Sequence, residues 1–251
     1  MLVQEIFNIV KEYHVDKNRF ISFTVTFKMQ SPIALTHPYI NFDGLIAHLL
    51  LRKLLGTSYG DLPTNLPLDF YNHLQLPIAR LSYGSNFIYQ SSISLFDNER
   101  LYLTTLYKRF DDKHLSQLKT RKKKIDLNRG TLKSYAMKLP YRPCQQVRFH
   151  VKGDIDLIRE LLDGLPGLGK KTSVGYGFIN SFSITSTKEN KSIIDKNGLA
   201  MRPIPCSFLD DRLQYEKAVL AFKFPYWAKT SIALCCVPGE KIRLKSTISI
   251  N

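Results

Sequence analysis

The sequence predicts an α+β fold, because segments with two different periodicities follow one another along the chain. Some segments alternate apolar and polar residues, which is typical of half-buried strands. Others carry apolar residues three and four positions apart, which is typical of amphipathic helices. With the middle of the chain set aside, the order is β, α, β, β, a long basic insertion, and then β, α, β. This order indicates a ferredoxin-like or RRM-like core with insertions between its elements.

The first half of the chain supplies the beginning of this pattern. An amphipathic helix is predicted over 1–14, and the alternating stretch FISFTVTFK predicts a strand over 20–28. A helix is predicted over 40–55 and ends near Gly56, since glycine commonly follows the last helical residue. Residues 57–80 contain several prolines and are predicted to form a loop.

The second part of the pattern begins with two strands that are joined by a turn at Asp97-Asn98. After the basic insertion the order is strand, helix, strand, with Gly164 as the residue that ends the helix. The predicted elements are strands over 86–96, 100–107 and 146–152, a helix over 154–163, and a strand from residue 174.

We predict one domain over 1–185, which includes the basic insertion, followed by a linker and a C-terminal extension over 186–251. Residues 186–200 (STKENKSIIDKNGLA) are mostly polar and predict an exposed linker. We expect the extension to pack on the core, anchored by Arg202 and by the segment Pro225-Tyr226-Trp227, with Trp227 against the core.

The composition favours a nucleic-acid partner and a cytoplasmic location. The formal net charge of +15 suits a polyanion, and nucleic acid before a membrane surface. No run of 18 apolar residues is present, so no transmembrane helix is expected, and the N-terminus lacks the design of a signal peptide. The four cysteines form no CxxC pair and the six histidines form no HExxH cluster, so we expect neither a metal nor a cofactor.

The basic insertion, about 108–145, carries most of the charge. The span 108–148 holds thirteen Lys and Arg residues and three acidic residues, which is +10 of the net +15. Its centre is Arg121-Lys122-Lys123-Lys124, and Tyr135 and Tyr141 lie among the cations that follow. Cations interleaved with aromatic residues suit stacked bases beside a phosphate track. The alternative is a basic loop that only increases solubility.

A glycine-rich stretch, GLPGLGKKT over 164–172, comes within one residue of the P-loop pattern GxxxxGK[ST]. Lys171 occupies the position of the hydroxyl that binds magnesium, and Thr172 comes one residue late. A P-loop also follows a strand and precedes a helix, whereas this loop follows a predicted helix and precedes a predicted strand. Both differences argue against ATP hydrolysis and leave a loop that suits another phosphate.

The stretch GLGKKTSVGYG over 167–177 resembles the glycine-rich signature of the CRISPR-associated RAMP superfamily. Three further segments look like motifs of the subunit that caps the 5′ handle of crRNA in class 1 effector complexes, particularly of type IV. They are SPIALTHPYINFDGLIAHLL over 31–50, MRPIP over 201–205 and PYW over 225–227. The resemblance implies a RAMP fold with a thumb-like insertion, and a non-catalytic subunit that binds the handle and nucleates the complex backbone.

The same resemblance implies a set of partners. They are the crRNA 5′ handle, the backbone RAMP subunits, a large subunit, helicase or nuclease of the complex, and the target nucleic acid indirectly. No membrane partner is expected.

On this resemblance, the RNA-binding residues lie in the glycine-rich loop and in the insertion. Lys170, Lys171 and Ser173 would grip handle phosphates, Arg121 to Lys124 would hold the RNA backbone, and Tyr135 would stack on a base. The full set is Gly167, Gly169, Lys170, Lys171, Thr172, Ser173 and Tyr176 in the loop, with Arg121, Lys122, Lys123, Lys124, Arg129, Lys133, Tyr135, Lys138 and Arg142 in the insertion. The alternative for Gly175 and Gly177 is that they only allow tight packing of the strand against the preceding helix.

Two other functions fit parts of the sequence. A metal-independent crRNA-processing endoribonuclease of the same superfamily would need a base, and His37 would be that base, with a lysine to stabilise the phosphorane. The alternative is that His37, which lies beside a proline, is only a structural residue. An architectural RNA binder would fit the charge, but it would not account for the glycine-rich loop, the Asp43-Gly44 helix start and the RPIP segment.

Overall fold

The computed structural model describes residues 3–62, 68–111, 128–129, 133–210, 212–246 and 249–250. It confirms the α+β class, since helices are combined with antiparallel sheets. The helices are α1 (Val3–Glu12), α2 (Phe42–Leu55), α3 (Leu68–His73) and α4 (Ile155–Leu162). Within the ranges given above, none of these helices is long and apolar enough to cross a membrane.

A four-stranded antiparallel sheet forms one side of the larger hydrophobic core. Its strands, in order across the sheet, are β5 (Leu95–Phe96), β8 (Gln146–Gly153), β1 (Ile21–Met29) and β9 (Ile179–Ser186). On one face, alternate apolar side chains of β1 and β8 are buried with those of α2 and α4, and the rings of Phe42 and Phe149 lie 4.9 Å apart. The other face is polar, and there Thr24 Oγ1 and His150 Nδ1 share a hydrogen bond of 2.9 Å. This division of faces is the period-two pattern of the sequence.

Two three-stranded sheets surround a second core. One consists of β13 (Ser249–Ile250), β3 (Arg80–Tyr83) and β4 (Asn86–Tyr89), and the other of β10 (Ile204–Pro205), β12 (Ile232–Cys236) and β11 (Lys217–Ala221). Leu81 and Ile88, from the β3–β4 hairpin, are buried together with Ile204, Phe208 and Cys235. The hairpin therefore shares its core with the C-terminal part of the chain. The predicted boundary between a domain over 1–185 and an extension over 186–251 stays a prediction.

The remaining sheet joins β2 (Ile33–Ala34), β7 (Tyr135–Arg142) and β6 (Tyr102–Lys108), in that order. Strands β6 and β7 pair as an antiparallel hairpin from Tyr102↔Tyr141 to Lys108↔Tyr135. Strand β2 pairs with the other edge of β7, through Ile33↔Arg142 and Ala34↔Tyr141. The base of the basic insertion is thus fixed to the connection that follows β1.

Most predicted elements are present within a few residues of their predicted bounds, and four predictions about segments were wrong. The linker over 186–200, which was predicted to be exposed, buries Ile193 and Ala200 in the second core. The loop predicted over 57–80 contains α3, which buries Phe70 in the larger core. The strand predicted over 86–96 is two strands in different sheets, because the chain passes between the sheets at the buried residues Ser91 and Ser92. The strand predicted from 174 begins only at Ile179. The φ angles of Gly175 and Gly177 are +101° and +69°, which are incompatible with a strand.

A buried arginine connects the two cores. Arg202 is 1% exposed, and its guanidinium donates to three backbone carbonyl oxygens. Nη1 donates to the oxygens of Tyr89 (2.6 Å) and Ser91 (3.0 Å), and Nη2 donates to that of Phe222 (2.6 Å). A buried charge is tolerated only when it is paired and hydrogen-bonded. These contacts therefore hold the chain around the end of β4 and the chain just after β11 in fixed positions relative to each other.

Asp43, at the start of α2, is the counter-ion of Arg202. Nη2 of Arg202 lies 3.4 Å from Asp43 Oδ2, and the Tyr226 hydroxyl donates to Asp43 Oδ1 at 2.5 Å. Burial raises the pKa of Tyr226 well above its usual range and the Asp43 carboxylate raises it further, so the hydroxyl remains a donor. The ring of Tyr226 also lies 3.1 Å from the place that a Cβ on Gly44 would occupy. The Asp-Gly pair, RPIP and PYW are therefore parts of one buried cluster.

Trp227 is the exposed neighbour of this cluster. Its ring meets Tyr71 edge to face at 5.5 Å, and 59% of the residue is exposed. The core contact expected for the PYW segment is made mainly by Tyr226 and not by Trp227.

We expect Arg202→Met to lower the free energy of unfolding by about 3–5 kcal/mol, because it leaves Asp43 buried without its counter-ion. Urea titration followed by circular dichroism measures this loss. Arg212→Met is the matched control, because the ion pair between Arg212 and Asp210 is exposed at the arginine and its removal should leave the urea midpoint unchanged. Equal midpoints for the two variants would contradict the role given to Arg202.

Candidate nucleic-acid interface

The glycine-rich loop, residues 163–178, is fastened to the segment that contains β2. Within the loop, Leu168 N–H donates to the Gly177 carbonyl oxygen at 2.8 Å. Towards β2, Lys170 N–H donates to the Ala34 oxygen at 2.8 Å and Gly177 N–H donates to the Pro32 oxygen at 2.7 Å. These bonds fix the backbone on both sides of Lys171, so the loop presents its side chains from a defined position.

The glycines of this loop permit close approach between parts of the protein itself. A Cβ at Gly177 would lie 1.9 Å from the Leu168 oxygen, one at Gly169 would lie 2.6 Å from the Ala34 oxygen, and one at Gly167 would lie 2.7 Å from the Gly177 oxygen. Gly175 differs, since a Cβ there would meet nothing within 4 Å. Gly177 therefore permits close packing, but against Leu168 of the loop itself and not against the preceding helix, and no atom crowds Gly175. Direct contact of Gly167 and Gly169 with RNA stays a prediction.

The two lysines precede a short turn that resembles an anion-binding nest. Lys171 has a φ of +63° and is followed by a 3₁₀ turn over Thr172–Val174. Among the backbone hydrogen bonds between described residues, none is donated by the N–H groups of Lys171, Thr172 or Ser173. Successive N–H groups in such a left-handed to right-handed turn form a concavity that suits phosphate oxygens. Lys170 and Ser173 are exposed and Lys171 and Thr172 are half-exposed, so a phosphate can reach all four.

A row of three tyrosines, Tyr102, Tyr141 and Tyr176, connects the hairpin to the loop. The rings of Tyr102 and Tyr141 are stacked, with centroids 5.7 Å apart and an interplanar angle of 25°. Tyr176, in the glycine-rich loop, lies 6.1 Å from Tyr141. Ala34 of β2 pairs with Tyr141 on one side and bonds to Lys170 on the other. The structure thus places an aromatic surface beside the two lysines.

The predicted residues of the insertion divide into three groups. Arg129, Lys133 and Lys138 are exposed, and Tyr135 is 39% exposed on β7 opposite Lys108. Arg142 stabilises the base of the hairpin, because its Nη1 donates to the Glu99 backbone oxygen at 2.6 Å and its guanidinium lies over the Phe96 ring. Its predicted contact with RNA stays a prediction. Arg121, Lys122, Lys123 and Lys124 lie outside the described residues.

A cleft of about 290 Å³ opens beside the glycine-rich loop. It is lined by the connection between β2 and α2, by two residues of α2, and by Gly169 and Lys170 of the loop. His37 and His48 both line it. His48 Nδ1 is 2.7 Å from the Tyr59 hydroxyl, and burial, with Arg52 nearby, lowers the pKa of His48, so the ring is mostly neutral at pH 7. Neither His48 nor Tyr102 could be assigned to this site from the sequence, because both reach it through contacts distant in sequence.

The fold and this site define an α+β protein with a cationic, glycine-rich loop beside a basic hairpin insertion. Comparison with protein families identifies it more closely. A family model described as CRISPR type IV associated protein Csf3 matches residues 22–238, which is most of the chain, so the chain belongs to this family. The type IV resemblance of the sequence is thereby confirmed, and membership of an effector complex with other subunits follows. A comparison with individual curated proteins gives no match.

Substituting Gly177 and Gly175 separately should distinguish steric contact from backbone strain. Both residues have positive φ, so alanine strains the backbone at each, but only at Gly177 does the new Cβ collide with a carbonyl oxygen. We expect Gly177→Ala to destabilise the protein by about 1–3 kcal/mol more than Gly175→Ala does. Urea unfolding of both variants measures the difference, and a larger loss for Gly175→Ala would mean that the loop is not closed as described.

Proposed function

We propose that this Csf3-family protein is a non-catalytic crRNA-binding subunit. It caps the 5′ handle of crRNA and nucleates the backbone of a type IV effector complex in defence against viruses or plasmids. The observation that carries the proposal is the junction of the two lysines, the nest-like turn and the tyrosine row, in a chain of net charge +15. Family membership supports it, because a type IV associated protein acts within a complex of several subunits.

The order of strands supports a RAMP fold. In chain order, the strands of the central sheet are β1, β5, β8 and β9, with α2 after the first and α4 after the third. Across the sheet they run second, third, first, fourth. This is the β-α-β-β-α-β pattern of ferredoxin-like domains, into which the other sheets are inserted. In this arrangement the glycine-rich loop is the connection between the second core helix and the fourth strand.

The junction offers each part of a single-stranded RNA a suitable contact. The lysines and the N–H groups of the turn suit phosphates without selecting a base. The exposed ring of Tyr102 and the half-buried rings of Tyr141 and Tyr176 suit stacked bases. From there the β6–β7 hairpin leads into the basic insertion, whose sequence-predicted cations would continue the phosphate track. The proposed partners are the crRNA handle, the backbone RAMP subunits, and a large subunit, helicase or nuclease, with target nucleic acid reached indirectly.

A second candidate, the metal-independent endoribonuclease, is favoured by one observation: His37, His48 and Lys170 line the same cleft. RNA cleavage without a metal needs a base for the 2′-hydroxyl, a donor for the leaving oxygen and a cation for the phosphorane. A neutral His48 suits the base, and Lys170 suits the cation. The ring of His48 is already hydrogen-bonded to Tyr59, and this bond would equally serve a structural role for His48.

Reversing the charge of the loop should strongly weaken RNA binding. We expect the Lys170→Glu/Lys171→Glu double variant to bind repeat-derived single-stranded RNA at least about a hundredfold more weakly. The slope of log affinity against log salt should fall by about 1.4, which corresponds to about 0.7 for each lost phosphate contact. Fluorescence anisotropy at several salt concentrations measures both quantities.

The control for this experiment is Lys188→Glu/Lys196→Glu, which makes the same change in net charge at two exposed residues outside the loop. It should retain most of the affinity and an unchanged salt slope. If both double variants lose affinity and slope equally, only the net charge matters and the loop is not a phosphate site.

The two candidate functions differ in whether RNA is cut. We expect wild-type protein to leave repeat-derived RNA intact in EDTA, and we expect the same result for His37→Ala and His48→Ala. Denaturing gels over time follow the RNA. Site-specific cutting that is slowed about a hundredfold or more in either histidine variant, with binding intact, would establish the nuclease instead.

A further inference from the structure

We propose that the cleft beside Lys170 is a nucleobase subsite, which receives the base of the nucleotide whose phosphate the glycine-rich loop holds. The inference rests on the proposed function, since it needs RNA on that loop, and it adds a position at which a base and not only the backbone is bound.

The position of the cleft is the first argument. Gly169 and Lys170 belong both to its lining and to the loop, and Lys170 is exposed, so a cationic residue adjoins the cavity. The base and the phosphate of one nucleotide are joined only through the ribose. A cationic residue beside a largely apolar cavity therefore matches the two ends of one nucleotide.

The chemistry of the walls is the second argument. Leu35 is buried, and Tyr39, Ile40 and Leu45 are half-buried, which gives flat aliphatic and aromatic surfaces for the face of a base. Burial raises the pKa of Tyr39, so its hydroxyl stays protonated and uncharged. Since Nδ1 of His48 is bonded to Tyr59, Nε2 is the ring atom that remains for the edge of a base.

Charge and size exclude simpler occupants. Among the described residues that line the cleft there is one cation, Lys170, and no acidic side chain, so an anion-bearing ligand is favoured. An inorganic phosphate alone would leave the apolar walls exposed to water. The volume of about 290 Å³ is at the lower limit of ordinary small-molecule pockets. A larger cavity of about 460 Å³, at the end of β1, is lined by Asp97 and by no lysine or arginine, and it suits a nucleotide less well.

Filling the cleft tests the proposal without altering any charge. Leu45→Trp places a large ring there from α2, and Leu49→Trp, one turn later on the same helix and also half-buried, is the matched control outside the cleft. The probe is a fluorescein-labelled repeat-derived octanucleotide, intact or with a single abasic site at each position in turn. Thermal unfolding checks that both variants fold, and Ile40→Ala, which removes a wall and adds no bulk, serves as the second cleft variant.

We expect wild-type protein to lose about tenfold in affinity when one particular position is abasic, which is the scale of one stacked base. Leu45→Trp should bind the intact RNA about tenfold more weakly than Leu49→Trp does. It should show no further loss with the RNA that is abasic at that position, because the contact is already absent. Its salt slope should equal that of the wild type, because no phosphate contact has changed. Millimolar mononucleotides should not displace the RNA, which would distinguish a base within RNA from a free nucleotide.

Two results would overturn the subsite and spare the proposed function. They are equal binding of intact RNA by the cleft variants and Leu49→Trp, or an abasic effect that persists in full in Leu45→Trp. In both, RNA binding still depends on Lys170 and Lys171. If wild-type protein does not bind the RNA, or binds it independently of these lysines, the proposed function fails and the subsite with it.

Discussion

The buried Arg202 guanidinium is the interaction on which the rest of the structure depends. Its acceptors come from the end of β4 and the residues just after it, from the segment after β11 and from the start of α2, so those segments cannot be placed independently. A charge that is 1% exposed needs each of these partners, because leaving it unpaired would cost several kcal/mol. The position of α2 therefore depends on the C-terminal part of the chain, which is an integral part of the fold.

That constraint extends to the candidate interface through the connection before α2. With the start of α2 fixed by Asp43, the residues between β1 and α2 have little freedom, and they carry β2, Tyr39 and His37. Strand β2 holds the hairpin on one edge, and its Ala34 oxygen holds Lys170. The loop, the hairpin and the cleft thus share one support, which keeps a cationic loop in place although its side chains repel one another.

The sequence predicted what local patterns determine. Helices α2 and α4 and strands β1 and β8 follow from apolar periodicity, and Lys170 and Lys171 follow from the glycine-rich motif. Tyr176 and Phe178 alternate as in a strand, yet the glycines beside them take left-handed conformations, which a pattern of hydrophobicity does not reveal. Tyr102 stacks on Tyr141 across a hairpin whose strands are separated by 26 residues, and His48 reaches the cleft by tertiary packing. Such contacts depend on register and topology rather than on spacing.

The direction of the chain explains why this loop needs its lysines. A P-loop precedes a helix, so the positive end of the helix dipole faces the phosphates. This loop begins after α4 ends, so the helix that directly precedes it in the chain presents its negative end. Favourable electrostatics must come from Lys170, Lys171 and the turn that follows them. The glycines allow the backbone to close on itself and on β2, and this closure leaves the lysines and the N–H groups of the turn on the outside. Such a site suits a polyanion that makes many weak contacts better than a single nucleotide triphosphate with its magnesium.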